Sequence, residues 1–319
     1  MIERIYIPTV RRAANQITYT HLPDELQQRV IMVIDPAERH LYNYDCQYLE
    51  IPEAIVGTWK QLAETRLLIH KHAGSIKYAM VDDDLIFKRR NAKYWTGKSN
   101  MSASKKDPTP EELSTMFSVF DEWLDEPDIG LVGPSMPGVP PAATEYTETK
   151  GVFTFIGCDG RMLADLIDDM DLTSIRVPED VIFMYECLSR GINSRVSTEW
   201  ICDNRSHSSK ELIGTRAIWE DPFDEQRTFV VDDQVDRSGV VTRRNGRYGT
   251  EQPDDHYQTD LHYDGLRYIQ KKWPHGIKIY ERDGKMKYTT YWKKLYKPKR
   301  RVVGNYYERL KTRAGADHA

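Results

Sequence analysis

Three consecutive aspartates, Asp82, Asp83 and Asp84, follow the apolar run Lys77–Val81 (KYAMV). Like charges grouped this tightly raise one another's pKa unless a cation neutralises them. Carboxylate oxygens are the ligands that Mg2+ and Mn2+ prefer. A divalent ion held there can carry a diphosphate and stabilise its charge as it leaves. A solvated acidic turn after a strand is the competing explanation of the triplet by itself. Glu179 and Asp180 open the apolar stretch PEDVIFMYECLSRG. An acidic pair at a helix start suits the helix dipole whatever its role, and beside an acceptor a carboxylate can take a hydroxyl proton as general base. His207, in CDNRSHSS, offers an imidazole that suits Mn2+ as well as zinc, although a lone histidine is more often an ordinary loop residue.

These groups need a scaffold, and the first half of the chain alternates short apolar runs with helical patterns. Arg4–Pro8 and Val30–Ile34 (VIMVI) read as buried strands, Tyr48–Ile51 as a weaker one, and Lys77–Val81 as a strand running into Asp82. Between them, Gly57–Ala73 places Trp59, Leu62, Ala63, Leu67, Ile69 and Ala73 at helical spacing. Strands separated by helices predict an α/β fold with a doubly wound, mostly parallel sheet. Ligands bind such sheets at the carboxyl ends of strands, where Pro8–Arg12 and Asp82–Asp84 both fall. Further along, 91–112 reads as a polar loop suited to an active-site flap, Pro108–Asp125 as a helix and Ile129–Gly133 as a strand. Val152–Ile156 is expected to be a strand leading into Gly157-Cys158-Asp159-Gly160, followed by a helix from Met162. A helix is expected over Val177–Gly191 and a strand over Arg195–Trp200.

Composition narrows the class. With 319 residues, 39% hydrophobic and 29% charged, the chain has the makeup of a soluble globular protein. No run approaches the roughly eighteen apolar residues a membrane span needs, and MIERIYIPTVRR lacks a signal-peptide core. Four scattered cysteines suggest neither disulfides nor zinc, so a cytoplasmic setting is expected, that of a host cell if the protein is phage-encoded. Charge is unevenly divided. Residues 266–319 carry sixteen Lys or Arg and four Asp or Glu, a net of +12, which leaves 29 basic and 45 acidic residues, net −16, in 1–265. A basic end often meets a polyanion. The expected division is a catalytic domain over 1–231 and a C-terminal extension over 232–319.

The order of these features resembles the GT-A superfamily of glycosyltransferases over about residues 3–210: strand, aspartate triplet, glycine-containing strand end, Glu-Asp helix, late histidine. IPTVRR looks like that family's first nucleotide-binding strand, which implies donor contacts near Thr9 and Arg11 or Arg12. In the helix before YAMVDDDLIF, Arg66 stands where the family commonly places a residue reaching nucleotide or phosphates. The resemblance implies that Asp82 touches ribose or uracil, with Asp83 beside it, and that Asp84 ligates Mn2+ or Mg2+ with Asp82 and His207. It makes Asp180, with Glu179, the acceptor-side base. FTFIGCDGRML is similar to the loop that contacts the transferred sugar, with Gly157 allowing close approach.

Within the superfamily, IPTVRR, LPDELQQRVIMVIDPAE, ETRLLI and MVDDDLIF resemble the DNA-base glycosyltransferases associated with TET-type oxygenases. That group includes phage enzymes acting on 5-hydroxymethylpyrimidines and the relatives that make base J. The resemblance implies a hexosyl- or pentosyltransferase that moves a sugar from a nucleotide-sugar, UDP-linked in expectation, to a hydroxymethylated pyrimidine in DNA. In the basic tail, Lys and Arg can neutralise phosphates while aromatic rings stack on unpaired bases. Lys297, Lys299, Arg300, Arg301 and Trp292 are its candidate DNA contacts, and a base inside duplex DNA would first have to be flipped out. A tail docked onto the acidic body would explain the same charges. Two alternatives stand beside this reading: a glycosyltransferase acting on a glycan or protein, and a non-catalytic nucleic-acid-binding relative.

Overall fold

The computed structural model describes residues 1–10, 12–14, 16–58, 60–90, 105–137, 144–175, 178–204, 264–282 and 285–296, with backbone strands also at 217–221, 224–231, 234–235 and 241–242. Arg11, His207, Lys297, Lys299, Arg300, Arg301 and most of the expected flap lie outside the described residues.

One ten-stranded sheet organises the molecule. In chain order its strands are β1 (Arg4–Pro8), β2 (Val30–Ile34), β3 (Gln47–Glu50), β4 (Lys77–Val81), β5 (Leu85–Arg90), β6 (Lys105–Lys106), β7 (Ile129–Ser135), β8 (Tyr146–Glu148), β9 (Phe155–Asp159) and β10 (Asn193–Asn204). They lie in the order β3-β2-β1-β4-β9-β7-β10-β5-β6, with β8 on β10. β1 pairs in parallel with both β2 and β4, and β10 in parallel with β7. β9 runs antiparallel between β4 and β7. The architecture is a mixed, mostly parallel α/β sheet compatible with a Rossmann-like fold.

The continuous apolar strands are buried on both faces, which is why VIMVI and KYAMV show no alternation. One face packs on α3 (Gln61–Ala73) and α6 (Glu179–Ser189), using Ile69, Tyr78, Met80, Ile182 and Phe183. The other packs on α4 (Pro110–Trp123) through Met116, Phe117 and Phe120 against Val81 and Phe155. α4 begins at a capping box between Thr109 and Glu112, with Pro110 in its first turn.

The described residues of the expected C-terminal extension pack against the first two hundred residues. A helix over 264–272 and a hairpin of β15 (Ile277–Arg282) and β16 (Lys285–Thr290) share the core of the first two hundred residues through Leu266, Ile269 and Ile277. Tyr185 on α6 donates to the Gly276 carbonyl at 2.6 Å, and Lys272 reaches Glu186 at 2.7 Å and Asp171 at 3.0 Å. Among the described residues no helix is long and apolar enough to cross a membrane.

Candidate functional site

The chain winds outward from β1 to β2 to β3, then returns to β4 on the other side of β1. The carboxyl ends of β1 and β4 therefore flank a topological switch point, where open α/β sheets place ligands. Thr9 follows the end of β1 and Asp82 the end of β4, so the two segments singled out from sequence come together.

Side chains join them. Thr9 donates from Oγ1 to Asp83 Oδ2 at 2.7 Å. One guanidinium nitrogen of Arg12 donates to Asp83 Oδ1 at 2.6 Å and to Asp84 Oδ2 at 3.1 Å. Gln16 holds this first segment by donating to Thr9 Oγ1 at 2.7 Å and to the Arg12 carbonyl at 3.0 Å. Thr18 fixes the triplet loop: its amide donates to the Asp83 carbonyl at 3.0 Å, and its Oγ1 accepts from the Leu85 amide at 2.8 Å.

A second guanidinium stands on the opposite side. Arg66, from α3, donates through Nε to Glu179 Oε1 at 3.0 Å and through a terminal nitrogen to Asp82 Oδ1 at 3.4 Å. With Asp180, His70, Met80 and Phe183, Arg66 and Glu179 line a small pocket at the start of α6. Asp180 accepts from the Val181 amide at 2.7 Å.

The triplet is therefore partly compensated by the protein's own cations, two guanidinium groups standing against four carboxylates. Arg12 serves Asp83 and Asp84, while Arg66 serves Asp82 and Glu179. Burial still dominates the protonation of the site. It pushes Asp82 up to about 7, against Arg66 and with Asp84, Asp83 and Glu179 adding to the shift, and Asp83 up to about 6, against Arg12 and Thr9 and with Asp84 adding to it. Burial likewise raises Glu179, against the pull of Arg66. The Asp82 side chain nonetheless keeps 25% of its surface open, compared with 10% for Asp83 and 6% for Asp84. Asp82 is the most exposed carboxylate of the three.

Among the described residues four buried side-chain atoms lack a hydrogen-bond partner, and three of them belong to this site: Asp84 Oδ1, Gln16 Oε1 and an Arg66 terminal nitrogen. Buried groups left this way are ones that an ion, water or ligand satisfies. The carboxylate oxygens are hard donors of the kind Mg2+ and Mn2+ take, so the residues fit such an ion. Among the described residues, no group of three His, Cys, Asp or Glu side chains is already arranged to hold one.

Other expected site residues are placed differently. Gly157 lies within β9, paired with Ala79 and Val132. A Cβ there would stand 2.6 Å from Val132 Cγ2, so sheet packing accounts for the glycine. Because β9 is antiparallel, its beginning rather than its end faces the site, and the Thr154 carbonyl accepts from the Asp82 amide at 2.8 Å. Thr154 holds a positive φ of 60° to do so. Trp292, expected to contact DNA, packs against Phe153 and Tyr185 with ring centroids 5.9 and 5.2 Å apart. It fastens the C-terminal segment to the body.

Sequence reasoning missed Gln16, Thr18, Tyr42 and His70. Tyr42 lies 3.4 Å from Thr9. His70 hydrogen-bonds Tyr78, stacks on Phe183 at 4.4 Å, and is held neutral by burial and by Arg66, which lower its pKa to about 3. Its position on the inner face of an amphipathic helix was the one signal available. Comparison with protein-family models gives no match, and no curated protein matches.

Proposed function

We propose that this protein is a metal-assisted glycosyltransferase of the GT-A type, moving a sugar from a nucleotide-sugar, in our reading UDP-linked, to a hydroxymethylated pyrimidine in DNA. The observation that carries this reading is the meeting of Thr9 and Arg12 with Asp82–Asp84 at the switch point, with Arg66 and the Glu179-Asp180 helix start alongside.

In this reading Thr9, Arg12 and the outermost carboxylate, Asp82, bind the nucleoside end of the donor. Arg66 keeps its charge at any working pH and faces the leaving diphosphate, with one nitrogen free to donate. Asp84 and Asp82, with His207, hold Mn2+ or Mg2+, which supplies charge neutralisation at the diphosphate. The acceptor hydroxyl oxygen attacks the anomeric carbon as the bond from that carbon to the diphosphate oxygen breaks. The hydroxyl proton passes to Asp180, and the electron pair leaves with the nucleotide. Glu179 positions Arg66 through its 3.0 Å ion pair. The excess of positive charge after residue 265 supports a polyanionic acceptor.

Incubation with a panel of nucleotide-sugars and hydroxymethylated DNA, followed by nucleoside mass spectrometry, tests the whole reading. A glycosylated nucleoside that needs Mn2+ or Mg2+ supports it. Transfer to a glycan with DNA untouched would remove the acceptor assignment and leave the donor site standing. An absence of any thermal shift with UDP and Mn2+ would remove the donor site itself.

A further inference from the structure

The β15–β16 hairpin sorts its residues by face. Its register pairs Lys278 with Thr289, Tyr280 with Lys287 and Arg282 with Lys285. Directly opposed residues share a face of an antiparallel pair, and alternate residues along each strand return to it. These six positions therefore form one face, with four basic residues, a tyrosine and a threonine. The other face carries Ile277, Ile279, Tyr288 and Glu281, and its Ile277 is buried in the core. Glu281, the one acidic residue in these strands, stands on that other face and is exposed there, as is Tyr288. Lys278, Lys287 and Thr289 are exposed, and the Lys278 ammonium lies 5.9 Å from the Tyr280 ring centroid.

Burial of Ile277 explains why the opposite face is polar, but not why that face carries basic residues and no carboxylate. The rest of the chain is acidic, with a net of −16 before residue 266, so positive charge collected on one face stands out against its surroundings. The spacing is regular, with alternate strand residues roughly 7 Å apart and neighbouring strands about 5 Å apart. Cations at such intervals around an aromatic ring suit a chain that alternates phosphates with flat bases. Lys and Arg neutralise the phosphates, and the ring offers a stacking surface that needs no sequence match.

We infer that the outward face of this hairpin, at Lys278, Tyr280 and Lys287, is a binding surface for single-stranded nucleic acid. The inference deepens the acceptor side of the function proposed above and rests on that reading. It moves the contact from Trp292, which is used in packing, to a face left open beside it.

The test is fluorescence anisotropy of the full chain with a labelled single-stranded oligonucleotide over a range of salt concentrations. Lys278→Gln with Lys287→Gln should weaken binding about tenfold and lower the log–log salt slope by about 1.4, since two phosphates are no longer neutralised. Tyr280→Ala should weaken binding by about fivefold or more with the salt slope unchanged. Lys71→Gln with Lys105→Gln makes the same charge change off the hairpin and should leave affinity near wild type. Circular dichroism and the UDP–Mn2+ thermal shift establish that each variant keeps its fold and donor site. The inference falls if the hairpin variants bind like wild type, or if the control pair weakens binding equally. It also falls if the variants lose affinity for anionic phospholipid vesicles alone. A lost oligonucleotide response in the wild type with an intact UDP response would overturn this surface only, whereas a missing UDP response in the wild type would overturn the donor site only.

Discussion

Arg66 and Glu179, 113 residues apart in the chain, meet in a 3.0 Å ion pair from which a second guanidinium nitrogen reaches Asp82. Breaking a buried pair by removing one partner leaves the other charge uncompensated and typically costs about 3–5 kcal/mol. Arg66→Met should therefore lower the midpoint of chemical denaturation markedly. Combining it with Glu179→Gln should restore part of the loss, because the stranded carboxylate goes too. A double variant no more stable than Arg66→Met alone would show that the pair is not the cause.

Arg12 holds Asp83 and Asp84 in the position of a counter-ion. Arg12→Gln should let Mn2+ bind more tightly in the absence of nucleotide, as read by the loss of the free-ion electron paramagnetic resonance signal. The same variant should bind UDP more weakly. Unchanged Mn2+ affinity would separate Arg12 from the metal-binding carboxylates.

Stability should depend on pH in an unusual direction. Asp82 and Asp83 are raised to about 7 and about 6 in the folded protein, above the ordinary carboxylate value near 4. Between pH 4 and 7 the folded state holds protons that the unfolded chain has released, so stability from these groups is present at pH 4 and falls as pH rises through 7. Each group sets a limiting slope of about 1.4 kcal/mol per pH unit in that window. Denaturation of the metal-free protein from pH 5 to 8 measures this, and Asp82→Asn should flatten the decline. A profile that rises over the same range in both proteins would contradict the assignment.

Asp84→Asn should abolish transfer with the fold intact, since it removes a charge at nearly constant volume. Asp180→Asn should instead lower kcat with UDP affinity kept. Loss of UDP binding in the Asp180 variant would place the start of α6 on the donor side.

Gly157→Ala should cost about 1–3 kcal/mol by overpacking against Val132, with UDP affinity unchanged. A selective loss of donor binding at full stability would return Gly157 to the site.

Much of this scaffold was legible. The bounds of β1, β2 and β4 follow from apolar runs without alternation, and the rule that ligands sit at strand ends picked out both Thr9 and the triplet. Strand direction was not legible, because hydrophobic pattern carries no sign. The antiparallel course of β9 therefore moved the site contact from Gly157 to Thr154. β5 escaped notice because LIFKRR is apolar over only its first half. The compensation of the triplet was hidden for a different reason: Arg12 lies 71 residues from Asp83, and only the sheet order brings them together.

Tyr185, Glu186 and Trp292 tie the C-terminal segment to the same helix whose first turn carries Glu179 and Asp180. That helix has eleven residues and is about 16 Å long. It is a stiff rod with the hairpin strapped to its middle and two carboxylates at its tip. No loop lies between the strap and the tip, so the packing of the C-terminal segment helps to set the angle at which the two carboxylates are held.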